Sequence, residues 1–116
     1  MKRADAVCSA YRGAAPPLAH PRSYAQVLAY VKKTLPLYAA AVRKLEQLEP
    51  PEDDQPAVRG WLAADRRILK AQQQLAAAAE RRDFPDVVAA ANAIQEAGVD
   101  ARHAAADLDM QVCARA

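Results

Sequence analysis

The sequence predicts an all-α fold, an antiparallel bundle of three long helices preceded by a short one, on three observations. Alanine is abundant, glycine occurs 3 times, and the β-branched and aromatic residues that favour strands are scarce, a composition that favours helix throughout. Apolar residues recur at alternating steps of four and three, the spacing that keeps one stripe against a partner helix. Proline-rich or aspartate-led boundaries separate these stretches. A chain of 116 residues suffices for one hydrophobic core, so residues 1–116 are expected to form a single domain.

The first helix is expected at about residues 4–14, where Val7, Ala10, Tyr11 and Ala14 share a face. "GAAPPLAHPR" then forms an extended strap. It ends at Ser23, where "SYAQ" has the form of a capping box, and the second helix runs from there to about residue 49. Its stripe is Tyr24, Leu28, Val31, Leu35, Tyr38, Val42 and Leu45. Pro36 lies inside it, removing one backbone hydrogen bond and crowding the carbonyl of Lys32, which predicts a kink rather than a break.

"EPPEDDQP" is an acidic turn whose aspartates suit the start of a third helix over about residues 55–82. The inward face of that helix holds Val58, Trp61, Leu62, Asp65, Ile68, Leu69, Gln72, Leu75, Ala76 and Ala79. In "RRDFPD", Asp83 suits the cap and Pro85 the first turn of a fourth helix, over about residues 84–114. Its stripe reads Val87, Ala91, Ile94, Gly98, Ala101, Ala105, Leu108 and Val112.

Short turns imply antiparallel neighbours, so residues equidistant from a turn share a layer. About the turn near residue 51, Tyr38 faces Asp65, Leu35 faces Ile68, Val31 faces Gln72 and Val42 faces Trp61. About the turn near 83, Asp65, Ile68, Gln72 and Trp61 face Ala101, Gly98, Ile94 and Ala105. A buried carboxylate at Asp65 needs a hydrogen-bond partner, and the register supplies the Tyr38 hydroxyl. Tyr38, Asp65 and Gln72 are therefore the candidate ligand-binding residues, in a pocket opened by Pro36 and by the missing side chain at Gly98. The alternative reading of the three is a satisfied polar layer that sets helix register.

The two cysteines, Cys8 and Cys113, read as a disulfide or as two free thiols. Their spacing fits neither a C-x-x-C redox motif nor a zinc site, and His20 and His103 lie far apart in the chain. A first helix that starts at the residue-51 end and runs antiparallel to the second and fourth brings Cys8 beside Cys113. The disulfide is the expectation. It closes a loop of roughly a hundred residues, worth about 4 to 5 kcal/mol in the chain-entropy model, and implies an oxidising compartment. The opposite end of the bundle is then covered only by the strap, which is where a groove is expected.

Several function classes are disfavoured. Lys plus Arg total 16 against 14 acids, a net charge of +2, too small a field to attract nucleic acid. No apolar run approaches the roughly 20 residues a bilayer requires, so no membrane insertion is expected. His103 and Met110 invite comparison with haem ligands, but inward Ala101 and Ala105 turn His103 outward. Arg59, Arg66, Arg67 and Lys70 read as a solvated basic face. No nucleophile stands beside a base and no Glu-x-x-His pairs occur, so no catalytic residue, metal or cofactor is expected.

"ADAVC", "PRSYAQVLAYVKKTLPLY", "LEQLEPPEDD", "WLAADRR" and the terminal "VCAR" together resemble small exported, often lipoprotein-type, helical domains of high-GC actinobacteria. The resemblance implies an extracytoplasmic protein, secreted or lipid-anchored, whose signal has been removed from the chain. The functional expectation is a non-catalytic binding or scaffolding module at the cell envelope, with a protein partner or self-association. A small-ligand or cofactor carrier using the polar layer is the second reading. A cytoplasmic helical adaptor, which needs free cysteines, is the third.

Overall fold

The structure, a computed structural model, describes residues 2–15 and 23–115. It is an all-α helical bundle of four helices: α1 (Lys2–Ala14), α2 (Tyr24–Glu46), α3 (Gln55–Glu80) and α4 (Phe84–Asp107), with short 3-10 turns at Glu52–Asp54 and Cys113–Arg115. Most of the proline strap, and with it His20, lies outside the described residues.

Local signals start the helices much as expected. The Ser23 hydroxyl accepts from the Gln26 amide at 3.2 Å, and the Asp83 carboxylate accepts from the Asp86 amide at 3.2 Å, each satisfying a first-turn donor. Asp54 precedes α3 without a side-chain cap, because the preceding turn draws the chain into helical geometry before α3 begins. Helix α2 passes through Pro36 without interruption. Just before the proline, buried Thr34 satisfies itself by donating to the Tyr30 carbonyl at 3.1 Å, the i−4 back-bond open to a helical threonine.

The last helix departs most from expectation. It stops at Asp107 rather than near residue 114. Asp109 takes a left-handed conformation, φ 57°, while the Met110 amide donates to the Ala105 carbonyl and the Asp109 amide to that of Ala106. These are the two bonds of a Schellman ending. The apolar residue that normally folds back on such an ending is Met110, which is 1 % exposed. The α3–α4 turn repeats the device, with Arg82 at φ 53° and bonds from Asp83 to Ala78 and from Arg82 to Ala79. Glycine marks neither site, so the periodicity alone runs α4 too far.

Helix α3 is the spine. It packs along α2 on one side and most extensively along α4 on the other. Buried alanines at 64, 71 and 78 of α3, with 90, 97, 101 and 105 of α4, present small side chains that let helix axes approach closely. The expected α4 stripe is therefore slightly rotated: Ala91 is exposed, and Ala90 and Ala97 are buried in its place. By contrast, no Cα–Cα approach within 8 Å joins α2 to α4 among the described residues. Nor does α1 close the ring by packing on α4, as the sequence suggests. It packs on α2 and on the C-terminal 3-10 turn.

Two faces of α1 divide the work. Ala4, Val7 and Tyr11, at i, i+3 and i+7, turn inward: Ala4 is fully buried, Val7 packs on the core, and Tyr11 meets Tyr38 edge-to-face, ring centroids 5.4 Å apart. Asp5, Cys8 and Arg12, one position on, hold the C-terminal segment. The Asp5 carboxylate accepts from the amides of Gln111 (3.0 Å), Val112 (2.9 Å) and Cys113 (3.1 Å), and Arg12 donates to the Arg115 carbonyl at 2.7 Å. A disulfide joins Cys8 to Cys113, whose Cα atoms are 5.4 Å apart, inside the range such a bond spans. Cys113 sits in the 3-10 turn beyond α4, not on the helix itself.

Candidate functional site

Because α2 and α4 stand apart while both lean on α3, a hollow of about 290 Å³ remains between them. Trp61, Asp65 and Ile68 of α3 and Tyr38, Ala41, Val42 and Leu45 of α2 form two walls. The third is Ile94, Gln95, Gly98, Ala101 and Arg102 of α4. Val7, Cys8 and Tyr11 of α1, with Cys113, close the end. The disulfide is thus part of the cavity wall.

The layer expected from the antiparallel register is present here. The Tyr38 hydroxyl donates to Asp65 Oδ1 at 3.0 Å, and Asp65 is 7 % exposed. Burial pushes the Asp65 carboxyl up to about 6, with the Tyr38 hydrogen bond holding it back only in part. Burial, then the adjacent Asp65 charge and the bond to it, raise the Tyr38 hydroxyl far above its ordinary value. Tyr11 is raised by burial and, less, by the neighbouring Tyr30. Both phenols therefore stay neutral donors at physiological pH, and Asp65 is the group poised to change charge.

Gly98 keeps the cavity open. Its φ is not positive, so no backbone demand calls for glycine. Among the described residues, a Cβ placed there would meet only Arg102 Nη1, at 3.3 Å, the end of a flexible side chain. Glycine in a helix interior costs about 0.8–1.0 kcal/mol relative to alanine, so this position carries a stability cost without a packing reason.

Gln72, the third residue assigned to the pocket from the sequence, does not line it. It lies nearly two turns beyond Asp65 on α3, where its Oε1 is buried with no hydrogen-bond partner among the described residues. The stripe pattern places Gln72 on the correct face but carries no information on how far the cavity extends along it. Asp5, conversely, is missed. Its partners lie more than 100 residues away, and the available signal is that Asp5 and Cys8 are three apart on one helical face. Desolvation raises the Asp5 carboxyl, but the three amide bonds outweigh it and leave the group below its ordinary value.

His103 is exposed and Met110 buried, and neither lines the cavity. Among the described residues no group of three or more His, Cys, Asp or Glu is arranged to hold a metal, and no helix is long and apolar enough to cross a membrane. On the basic face of α3, Arg66 pairs with Glu46 at 3.0 Å and Arg67 with Asp100 at 2.9 Å. Such exposed pairs contribute about 0–1 kcal/mol, and they offset part of that face's charge.

A second hollow, of about 630 Å³, lies at the other end beside the start of α2, where a groove is expected. Tyr24 and Val27 of α2 line it with Phe84 and Val87 of α4 and Arg82. Among the described residues it contains no buried titratable pair, so the Tyr38–Asp65 cavity is the stronger candidate site. Comparison with protein-family models, curated proteins and solved structures finds no match.

Proposed function

We propose that this chain is a non-catalytic, extracytoplasmic binding module that holds a small molecule in the cavity between α2 and α4. The carrying observation is the cavity itself: about 290 Å³, at the low end of small-molecule pockets, with mostly apolar walls, the Tyr38–Asp65 pair, and Gln95 and Arg102 on the α4 side. A bundle selected only for stability would fill this space, because an unfilled apolar void costs contacts. Alanine stands at 41 and 101 and glycine at 98, where leucine or methionine would cost the helix little and fill more space. The disulfide supports the location, since such bonds persist in oxidising compartments.

The test is a thermal-shift screen of small, apolar-bodied molecules against the oxidised protein and against Gly98→Leu, which projects a side chain into the cavity. Compounds that raise the wild-type Tm and lose the effect in Gly98→Leu are expected. An empty screen, or shifts that survive in Gly98→Leu, would overturn the reading. Thiol titration tests location: the protein isolated without reductant is expected to present no free thiol, and two titratable thiols would contradict an oxidising compartment.

A second reading, a scaffolding role through a partner or a second copy, rests on Phe84 and Val88, 64 % and 40 % exposed at the start of α4. Sedimentation at rising concentration, with Phe84→Ser as control, separates the two. Self-association abolished by that substitution supports it.

A further inference from the structure

The cavity pairs a carboxylate with spare acceptor capacity against a wall that offers few donors. A carboxylate has about four lone-pair sites, and among the described residues Asp65 accepts one hydrogen bond, at Oδ1 from Tyr38. Oδ2 accepts none there. The opposite charge on the wall, Arg102, is already partnered and packs beside Gly98. An anionic ligand would face the Asp65 charge with only uncharged donors beside it, the Tyr11 phenol, the Gln95 amide and the Trp61 indole N–H, since the Tyr38 hydroxyl already donates to Asp65. A cationic ligand would complete the carboxylate and lie among three aromatic residues, Tyr11, Tyr38 and Trp61, whose rings attract positive charge. Val42, Leu45 and Ile94 supply apolar surface for the remainder of the molecule.

We infer that the cavity takes a small organic cation, a protonated amine with an aryl or alkyl body, its ammonium on Asp65 and its body against the apolar walls of α2 and α4. The inference rests on the reading of the cavity as a ligand site and names the ligand's class. It also makes binding pH-dependent. The titratable and charged groups facing Asp65 are Tyr38 from α2, Tyr11 from α1 and Arg102 from α4. The two phenols are held neutral and a guanidinium stays charged, so between pH 5 and 8 the charge of the site follows Asp65.

Calorimetric titration of the oxidised full chain with three matched probes tests this: phenylbutylamine, phenylbutanol and phenylbutanoate. At pH 7.5 the amine is expected to bind at least about tenfold tighter than the alcohol, with the acid weakest. Asp65→Asn, which keeps an acceptor for Tyr38, is expected to remove the amine's advantage over the alcohol. On the wild type alone, amine affinity is expected to fall about tenfold between pH 7.5 and 5 while alcohol affinity stays level, so the test stands even where the variant folds poorly. Alcohol or acid binding as tightly as amine, or an amine preference that persists in Asp65→Asn, would overturn the ligand class and leave the binding-module reading in place. Failure of all three probes to bind would overturn both.

Discussion

At the end where α1 meets the C-terminal turn, the structure is held by contacts between residues more than 100 positions apart: a disulfide, three amides on Asp5, and Arg12 on the Arg115 carbonyl. At the end where α3 turns into α4, it is held by neighbours, with the Asp83 cap, a left-handed Arg82 and an Arg81–Asp86 pair at 3.2 Å. The first end borders the Tyr38–Asp65 cavity, and the second borders the other hollow and leaves Phe84 exposed. Helix packing alone closes neither gap between α2 and α4, and the cavity exists where covalent and polar ties substitute for helix-to-helix contact.

Breaking the long-range end has the largest expected effect. Cys8→Ser with Cys113→Ser is expected to lower stability by about 4–5 kcal/mol, the loop-closure value for a crosslink spanning this much chain, measured by urea denaturation. The single tryptophan, Trp61, lines the cavity beside the disulfide, so its emission should shift to the red as α1 loosens. A loss below about 1 kcal/mol would mean that Asp5 and Ala4 hold α1 unaided.

Asp5→Ala removes the acceptor of three amides and is expected to cost about 1–2 kcal/mol, at the upper range for a capping carboxylate. Because the folded carboxyl lies below its ordinary value, its stabilisation is present above that value and is lost only as pH falls through the lowered one. Asp65 runs the other way. Its folded value of about 6 exceeds the ordinary 3.8, so its contribution is fully present below the ordinary value and is lost as pH rises through 6. Between pH 7 and 5 the wild type should therefore gain about 1 kcal/mol that Asp65→Asn does not. A flat wild-type profile over that window would contradict the burial of Asp65.

The smallest effects sharpen the local end and the cavity wall. Arg82→Gly, which relieves a left-handed non-glycine residue, is expected to stabilise by about 0.5–1 kcal/mol. Gly98→Ala should gain a similar amount from helix propensity, with Arg102 moving aside. A loss there would mean that Arg102 cannot give way.

Part of this structure is legible in the sequence. Helix starts at Ser23 and Asp83 follow from side chains beside the amides they cap, and the Tyr38–Asp65 layer follows from counting outward from short turns, because antiparallel register is nearly rigid once the turns are located. The end of α4 is not legible. It depends on Asp109 adopting a conformation usually given to glycine, and on Met110 and the Asp5 carboxylate rewarding the departure from helix. Gln72 fails for a related reason: periodicity assigns a face, whereas the length of a cavity depends on how far three helices diverge. The rotation of α4 that buries Ala90 and Ala97 in place of Ala91 depends on alanine packing that leaves no mark in a stripe made of alanines.

Whether the gap between α2 and α4 is a ligand-sized cavity can be read from crystals of the oxidised protein under xenon pressure, since xenon enters apolar cavities. Xenon is expected among Trp61, Ile68 and Ile94 in the wild type and absent from Gly98→Leu. Side chains of α2 and α4 packed against one another across that space, with no xenon between them, would contradict it.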